Sequence, residues 1–191
     1  MKARDNPFTV DRISALRYRP LDTTFDEILR RLEELNYRAA IVGPEGSGKT
    51  TLLENLQDAL ARRGFKTWMF FVNDTVPLNG PACRRLLTEV ASDEIVLLDG
   101  ADAVRRSAWM LFRRRTASHA VGLIVTSHRP GLLPTLTKCS TTPALLQEIV
   151  NELQPPGRTL SADFLSDLYQ RHAGNLRDCL RELYDLYAAH A

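Results

Sequence analysis

Lysine, cysteine and long apolar runs are all scarce in this chain of 191 residues. The three cysteines, Cys83, Cys139 and Cys179, are odd in number and lack metal-ligand spacing. They offer neither a disulfide framework nor a zinc ligand set, and read as small buried residues in a reducing cytosol. No apolar run approaches the roughly 20 residues needed to cross a bilayer. The opening MKARDNPFTV carries no apolar signal core. The expectation is a cytoplasmic protein with no membrane partner. Lysine occurs only at Lys2, Lys49, Lys66 and Lys138, so the basic charge is nearly all arginine, a bias read as codon composition. A formal net charge of +2 is too small to demand a polyanion. Nucleic acid is therefore the weaker class of partner, and salt-dependent DNA binding would be needed to revive it. Internal repeats and low-complexity segments are missing too.

What is present is an ordinary globular balance, with 44% hydrophobic and 25% charged residues. The length suits one α/β domain with a small appendage. Residues 1–20 hold Pro7 and Pro20 with few apolar residues and are expected to wrap a surface. Thr24 and Glu27 have capping-box spacing, and Phe25, Ile28, Leu29, Leu32 and Leu35 follow at helical period. Short apolar runs at 38–42, 67–72, 95–98 and 121–125 read as strands, with 136–141 as a last edge strand. Helices are expected at 49–63, 81–91, 102–116, 143–153, 161–173 and 175–188. This alternation predicts a parallel, mostly five-stranded sheet flanked by helices. The expected division is an N-terminal segment and helix (1–36), a core (37–142) and a small C-terminal helical lid (143–191).

Gly43-Pro44-Glu45-Gly46-Ser47-Gly48-Lys49-Thr50 matches G-x-x-x-x-G-K-[ST], after an apolar strand and at the mouth of a helix. Polyphosphate needs hydrogen-bond donors on all sides. Glycines let the backbone curl so that successive N–H groups point inward, and the helix adds the positive end of its dipole. Lys49 supplies an ammonium for the β- and γ-phosphates, and the Thr50 hydroxyl suits Mg²⁺. Thr51 packs or touches the α-phosphate side. The ligands expected are ATP and Mg²⁺.

Magnesium also needs an acid from a neighbouring strand end. EIVLLDGADAV supplies Asp99 after four apolar residues, at the edge where open α/β sheets bind ligands. Thr50 and Asp99 are the expected metal pair. Hydrolysis further needs a group that orients the attacking water. Position 100 is glycine, and Asp102 is the nearest replacement. It reads equally as a water-orienting carboxylate or as a helix N-cap. Glu45 reads better as a solvated loop residue than as a substitute.

These residues together resemble the P-loop ATPases of the AAA+ and STAND groups, the latter in its NACHT-like form. The carriers are the loop, VLLDGAD, GLIVTSHRP and HAGNLRDCL, over roughly residues 37–188. The resemblance implies a P-loop NTPase fold, with Thr126 or Ser127 as the polar sensor near the γ-phosphate. It implies that Asp99 and Asp102 divide metal binding and water orientation. It also implies that Arg177 is the arginine a lid helix presents to the nucleotide. The chain departs from the pattern in lacking a glutamate after Asp99, and 131–135 leave no room for a long helix after the sensor strand.

Arg113-Arg114-Arg115 reads first as basic residues at a helix C-terminus, and second as an arginine finger or acidic-partner patch. Arg129 is balanced between a phosphate contact and a solvated loop residue. His128 has no second ligand at metal spacing and reads as a γ-phosphate contact. The expected function is a slow Mg-dependent ATPase acting as a nucleotide-driven switch for a protein partner, with an oligomer allowed. The rivals are a small-molecule P-loop kinase, with an acceptor site at 75–91, and a nucleotide-binding scaffold that never hydrolyses.

Overall fold

The computed structural model describes residues 6–72, 88–118, 122–155, 157 and 159–189. Cys83 and most of the 75–91 segment lie outside the described residues. The first half contains α1 (Val10–Ser14), α2 (Phe25–Glu34), β1 (Arg38–Val42), α3 (Lys49–Arg62) and β2 (Thr67–Phe71). The second half contains β3 (Ile95–Asp99), α4 (Arg106–Ser118), β4 (Gly122–Ser127), β5 (Thr135–Lys138), α5 (Pro143–Leu153), α6 (Ala162–Arg171) and α7 (Leu176–Ala189). The strands form one sheet in the order β2-β3-β4-β1-β5, and every pairing is parallel.

Parallel strands covered on both faces must be apolar in consecutive positions. Here successive residues divide between two cores as their side chains alternate. Ile41, Leu97 and Ile124 face the cluster built by α2 and α3, with Leu32, Leu52 and Leu56. Val42, Val96, Leu98 and Val125 face the opposite cluster with Trp109 and Phe112 of α4. Leu52, Leu56, Ile41 and Leu97 are fully buried, each stabilising the fold by about 1.5–3 kcal/mol. A third cluster joins Leu146, Val150, Leu165, Leu168, Leu180 and Leu183 of α5, α6 and α7.

Local chemistry sets the element ends. Thr24 and Glu27 complete a reciprocal capping box at α2. Thr142 caps α5, where Pro143 takes the first turn. Two expectations need correction. The helix expected at 102–116 is broken: Ala101–Ala103 form a 3₁₀ turn and Val104 is extended, so α4 starts only at Arg106. The physical reason is that Asp102 is held by the end of β4 rather than by a helix. Residues 6–18 also do more than wrap a surface. Phe8 is 1% exposed and packs edge-on to Tyr187 at 5.2 Å in the third cluster. Asn6 Nδ2 donates to the Tyr184 carbonyl at 2.9 Å.

Candidate functional site

β1, β3 and β4 end side by side at Val42, Asp99 and Ser127, so three strand ends open on one crevice. The loop from Gly43 to Gly48 curls over this edge into α3. The first N–H of α3 to bond within its own helix is that of Leu52, to the Gly48 carbonyl at 2.9 Å. The N–H groups of Lys49, Thr50 and Thr51 thus lie in the unpaired first turn, where the helix dipole is positive. Ser47 is buried, and its hydroxyl braces the loop by donating to the Pro44 carbonyl at 2.8 Å. Pro44 and Glu45 are exposed.

Lys49 Nζ donates to the carbonyls of Gly43 at 2.8 Å and Pro44 at 2.7 Å. Burial lowers the pKa of this ammonium; Arg177 adds to the effect, while Cys139, Asp102 and Asp99 oppose it. The charges expected at the site are therefore electrostatic neighbours. Thr50 Oγ1 donates to Asp99 Oδ2 at 2.7 Å. The other Asp99 oxygen accepts from the Thr126 hydroxyl, which itself accepts from the Gly100 N–H at 2.9 Å. Asp99 is therefore cross-linked to α3 and β4 by hydroxyls.

Asp102 is bound differently. Its Oδ1 accepts from Ser127 Oγ at 2.7 Å. Its Oδ2 accepts from the His128 backbone N–H at 2.5 Å and lies 3.0 Å from His128 Nδ1. The N-cap alternative for Asp102 is thus not what the fold adopts. Lys49, Thr50, Asp99, Asp102, His128 and Arg177 line one cleft.

Arg177 reaches this cleft because α7 starts beside the loop. Asn175 caps that helix, accepting from the Asp178 N–H at 3.2 Å and donating to Asp178 Oδ2 at 2.7 Å. The same side chain abuts Gly46, whose φ is 65°: a Cβ there would stand 1.8 Å from Asn175 Oδ1. Only glycine lets loop and α7 approach so closely. Tyr169 fastens the preceding turn, donating to the Thr141 carbonyl at 2.8 Å, while Thr141 Oγ1 donates to the Gly174 carbonyl at 2.8 Å. On the other side of the loop, Thr51 borders a pocket of about 210 Å³ whose apolar wall includes Ile13, Leu16, Tyr18, Ile149 and Leu180.

Sequence reasoning assigns no role to Asn175 or the Tyr169–Thr141 pair, and reaches Tyr18 only as the end of a segment, 7–18, where the resemblance implies contact with a base. Asn175 is legible only as a helix break. The Tyr18 backbone is tied to Asn55 Oδ1 at 2.9 Å, a contact that leaves no local pattern. Arg113, Arg114 and Arg115 do not line the cleft, while Arg129 borders it beside Glu45 and His128.

The fold defined by this sheet and loop is that of a P-loop NTPase core. Among solved structures, the chain is similar to a mutant RuvB of Thermotoga maritima, with a TM-score of 0.58 and 14% identity. The similarity covers 84% of this chain and 61% of that one, so the chain spans somewhat less than two thirds of the RuvB structure. No family model matches the chain, and no curated protein matches it significantly. Among the described residues, no helix is long and apolar enough to cross a membrane.

Proposed function

We propose that the chain is an ATP-binding, Mg-dependent P-loop ATPase whose helical lid (143–191) closes on the core (37–142) as a nucleotide-driven switch for a protein partner. The carrying observation is the convergence of Lys49, Thr50, Asp99 and Arg177 on one cleft, at the mouth of a helix and the ends of three strands. The loop N–H groups and Lys49 are donors suited to the phosphates. The apolar pocket beside Tyr18 suits a flat base. Thr50 Oγ1 and Asp99 Oδ2, only 2.7 Å apart, are the hard oxygen donors that Mg²⁺ favours. Bound there, magnesium would neutralise charge on the β- and γ-phosphates.

The switch rests on the Asn175 contact. The side chain that caps α7 also bears on Gly46, and Arg177 follows two residues later. A change in what the loop and Arg177 hold is therefore delivered to the lid at one point. The NACHT-like assignment, the cytoplasmic location and an oligomeric assembly belong to the same proposal and rest on the sequence resemblance and composition. A scaffold that binds without hydrolysing is the second reading. Gly100 in place of a carboxylate, and the occupied oxygens of Asp102, favour it.

Thermal melting with ATP, ADP and GTP plus Mg²⁺, paired with phosphate release, tests the proposal. A ligand at a hundred times its Kd stabilises by about 2.7 kcal/mol, so a clear rise in Tm with ATP is expected. No shift with any nucleotide would overturn the reading. A shift without phosphate release would select the scaffold.

A further inference from the structure

Resting on the ATPase reading above, we infer that His128, held by Asp102, orients and deprotonates the attacking water. The strand end itself cannot supply the group. Gly100 has a φ of 84°, and a Cβ there would stand 2.3 Å from the Val72 carbonyl oxygen. A carboxylate directly after Asp99 is therefore closed off by backbone. Asp102 is present but committed: the Ser127 hydroxyl and the His128 backbone N–H take one oxygen each. Glu45 borders the cleft from an exposed loop position, with no hydrogen bond to a described residue to fix it.

His128 has what these lack. Its side chain is 46% exposed and lines the cleft shared by Lys49, Thr50 and Asp99. His128 Nδ1 lies 3.0 Å from Asp102 Oδ2; a carboxylate at that nitrogen favours the tautomer protonated there, which leaves the ring's lone pair on Nε2. A carboxylate that fixes a ring in this way also stabilises the imidazolium formed when that ring takes a proton. In the step, the water oxygen bonds to the γ-phosphorus. The bond from that phosphorus to the β,γ-bridging oxygen breaks, and its electron pair stays on ADP. The water proton passes to Nε2 and later leaves to solvent. The charged groups that line the cleft and its adjoining pocket with this ring are Asp102, Glu45, Arg129, Lys49, Asp99 and Arg177.

The test is single-turnover phosphate release from ATP and Mg²⁺ by the full chain, with ATP affinity measured by calorimetry. His128→Ala should slow release roughly 10²-fold while leaving the ATP Kd within about threefold of the parent. His128→Gln, which keeps the bulk and a polar tip but cannot take up a proton, should release phosphate as slowly, and it decides the matter should the alanine variant misfold. Release by either folded variant within about threefold of the parent would overturn the assignment. If the parent binds ATP and releases no phosphate, this inference falls and the binding site stands. If the parent binds no nucleotide, the site reading falls with it.

Discussion

The two ends of β3 each present an acid, and the two are held in opposite ways. At the N-terminal end, Glu94 is 4% exposed and fully matched by donors. Lys66 Nζ and Trp68 Nε1 each donate at 2.5 Å, and the Ala91 N–H donates at 3.0 Å. With Lys66 first among these donors, its carboxyl is pulled down to a pKa of about 2. At the C-terminal end, Asp99 is held by two hydroxyls, Thr50 and Thr126, and borders the cleft. A carboxylate matched by a cation and two N–H donors is a structural fastening. One held by rotatable hydroxyls keeps lone pairs for something else. On the proposed reading, the same strand carries a stability end and a chemistry end.

Substitutions at the two ends should separate these roles. The largest effect is expected from Lys49→Ala, which should weaken ATP binding by roughly 10²-fold, about 2.7 kcal/mol, in a calorimetric titration. Its Tm without nucleotide should stay near that of the parent. An unchanged Kd would remove the lysine from the site. Glu94→Gln is expected to do the reverse. Chemical denaturation should show a loss of about 1–3 kcal/mol at neutral pH, with ATP affinity retained. The sign with pH follows from the lowered pKa. The stabilisation is present above the ordinary glutamate value of 4.5 and is lost as pH falls towards about 2. Parent and variant should converge over that window, and a gap that persists at pH 2 would contradict the fastening role.

Two smaller effects refine the picture. Arg177→Ala should reduce the preference for ATP over ADP by about tenfold, roughly 1.4 kcal/mol, measured as the ratio of the two Kd values. An unaltered ratio would leave the lid arginine without a part in sensing the γ-phosphate. Thr24→Ala removes a capping box far from the cleft and should cost about 1 kcal/mol in thermal unfolding, with both nucleotide affinities untouched.

Patterns that are local in the chain are legible without the fold. The strands β1, β2 and β3, the capping box at Thr24, the loop into α3 and Asp99 at a strand end all follow from short-range spacing. Contacts that depend on strand order are not legible. Asp102 meets Ser127 and His128 only because β4 lies beside β3, and 25 residues separate the carboxylate from that hydroxyl. Local spacing leaves Asp102 two readings of equal weight, and neither includes a histidine partner. Phe8 escapes for a related reason. One aromatic among polar residues carries no period, so nothing local says that it enters the core of α5, α6 and α7. Val104 breaks an expected helix because its neighbour Asp102 answers to a distant strand.

The burial of Phe8 has a mechanical consequence. One stretch of chain is moored to both sides: Phe8 and Asn6 to α7, Ile13 and Leu16 to the third cluster, and Tyr18 to α3 through Asn55. Were α7 to swing away from α3 in the proposed switch, this stretch would be pulled between its contacts with the third cluster and its contacts with α3 at Arg17 and Tyr18. A fluorescent label ahead of Phe8 would ride with α7, and its distance to a second label on α3 would show whether such a swing occurs.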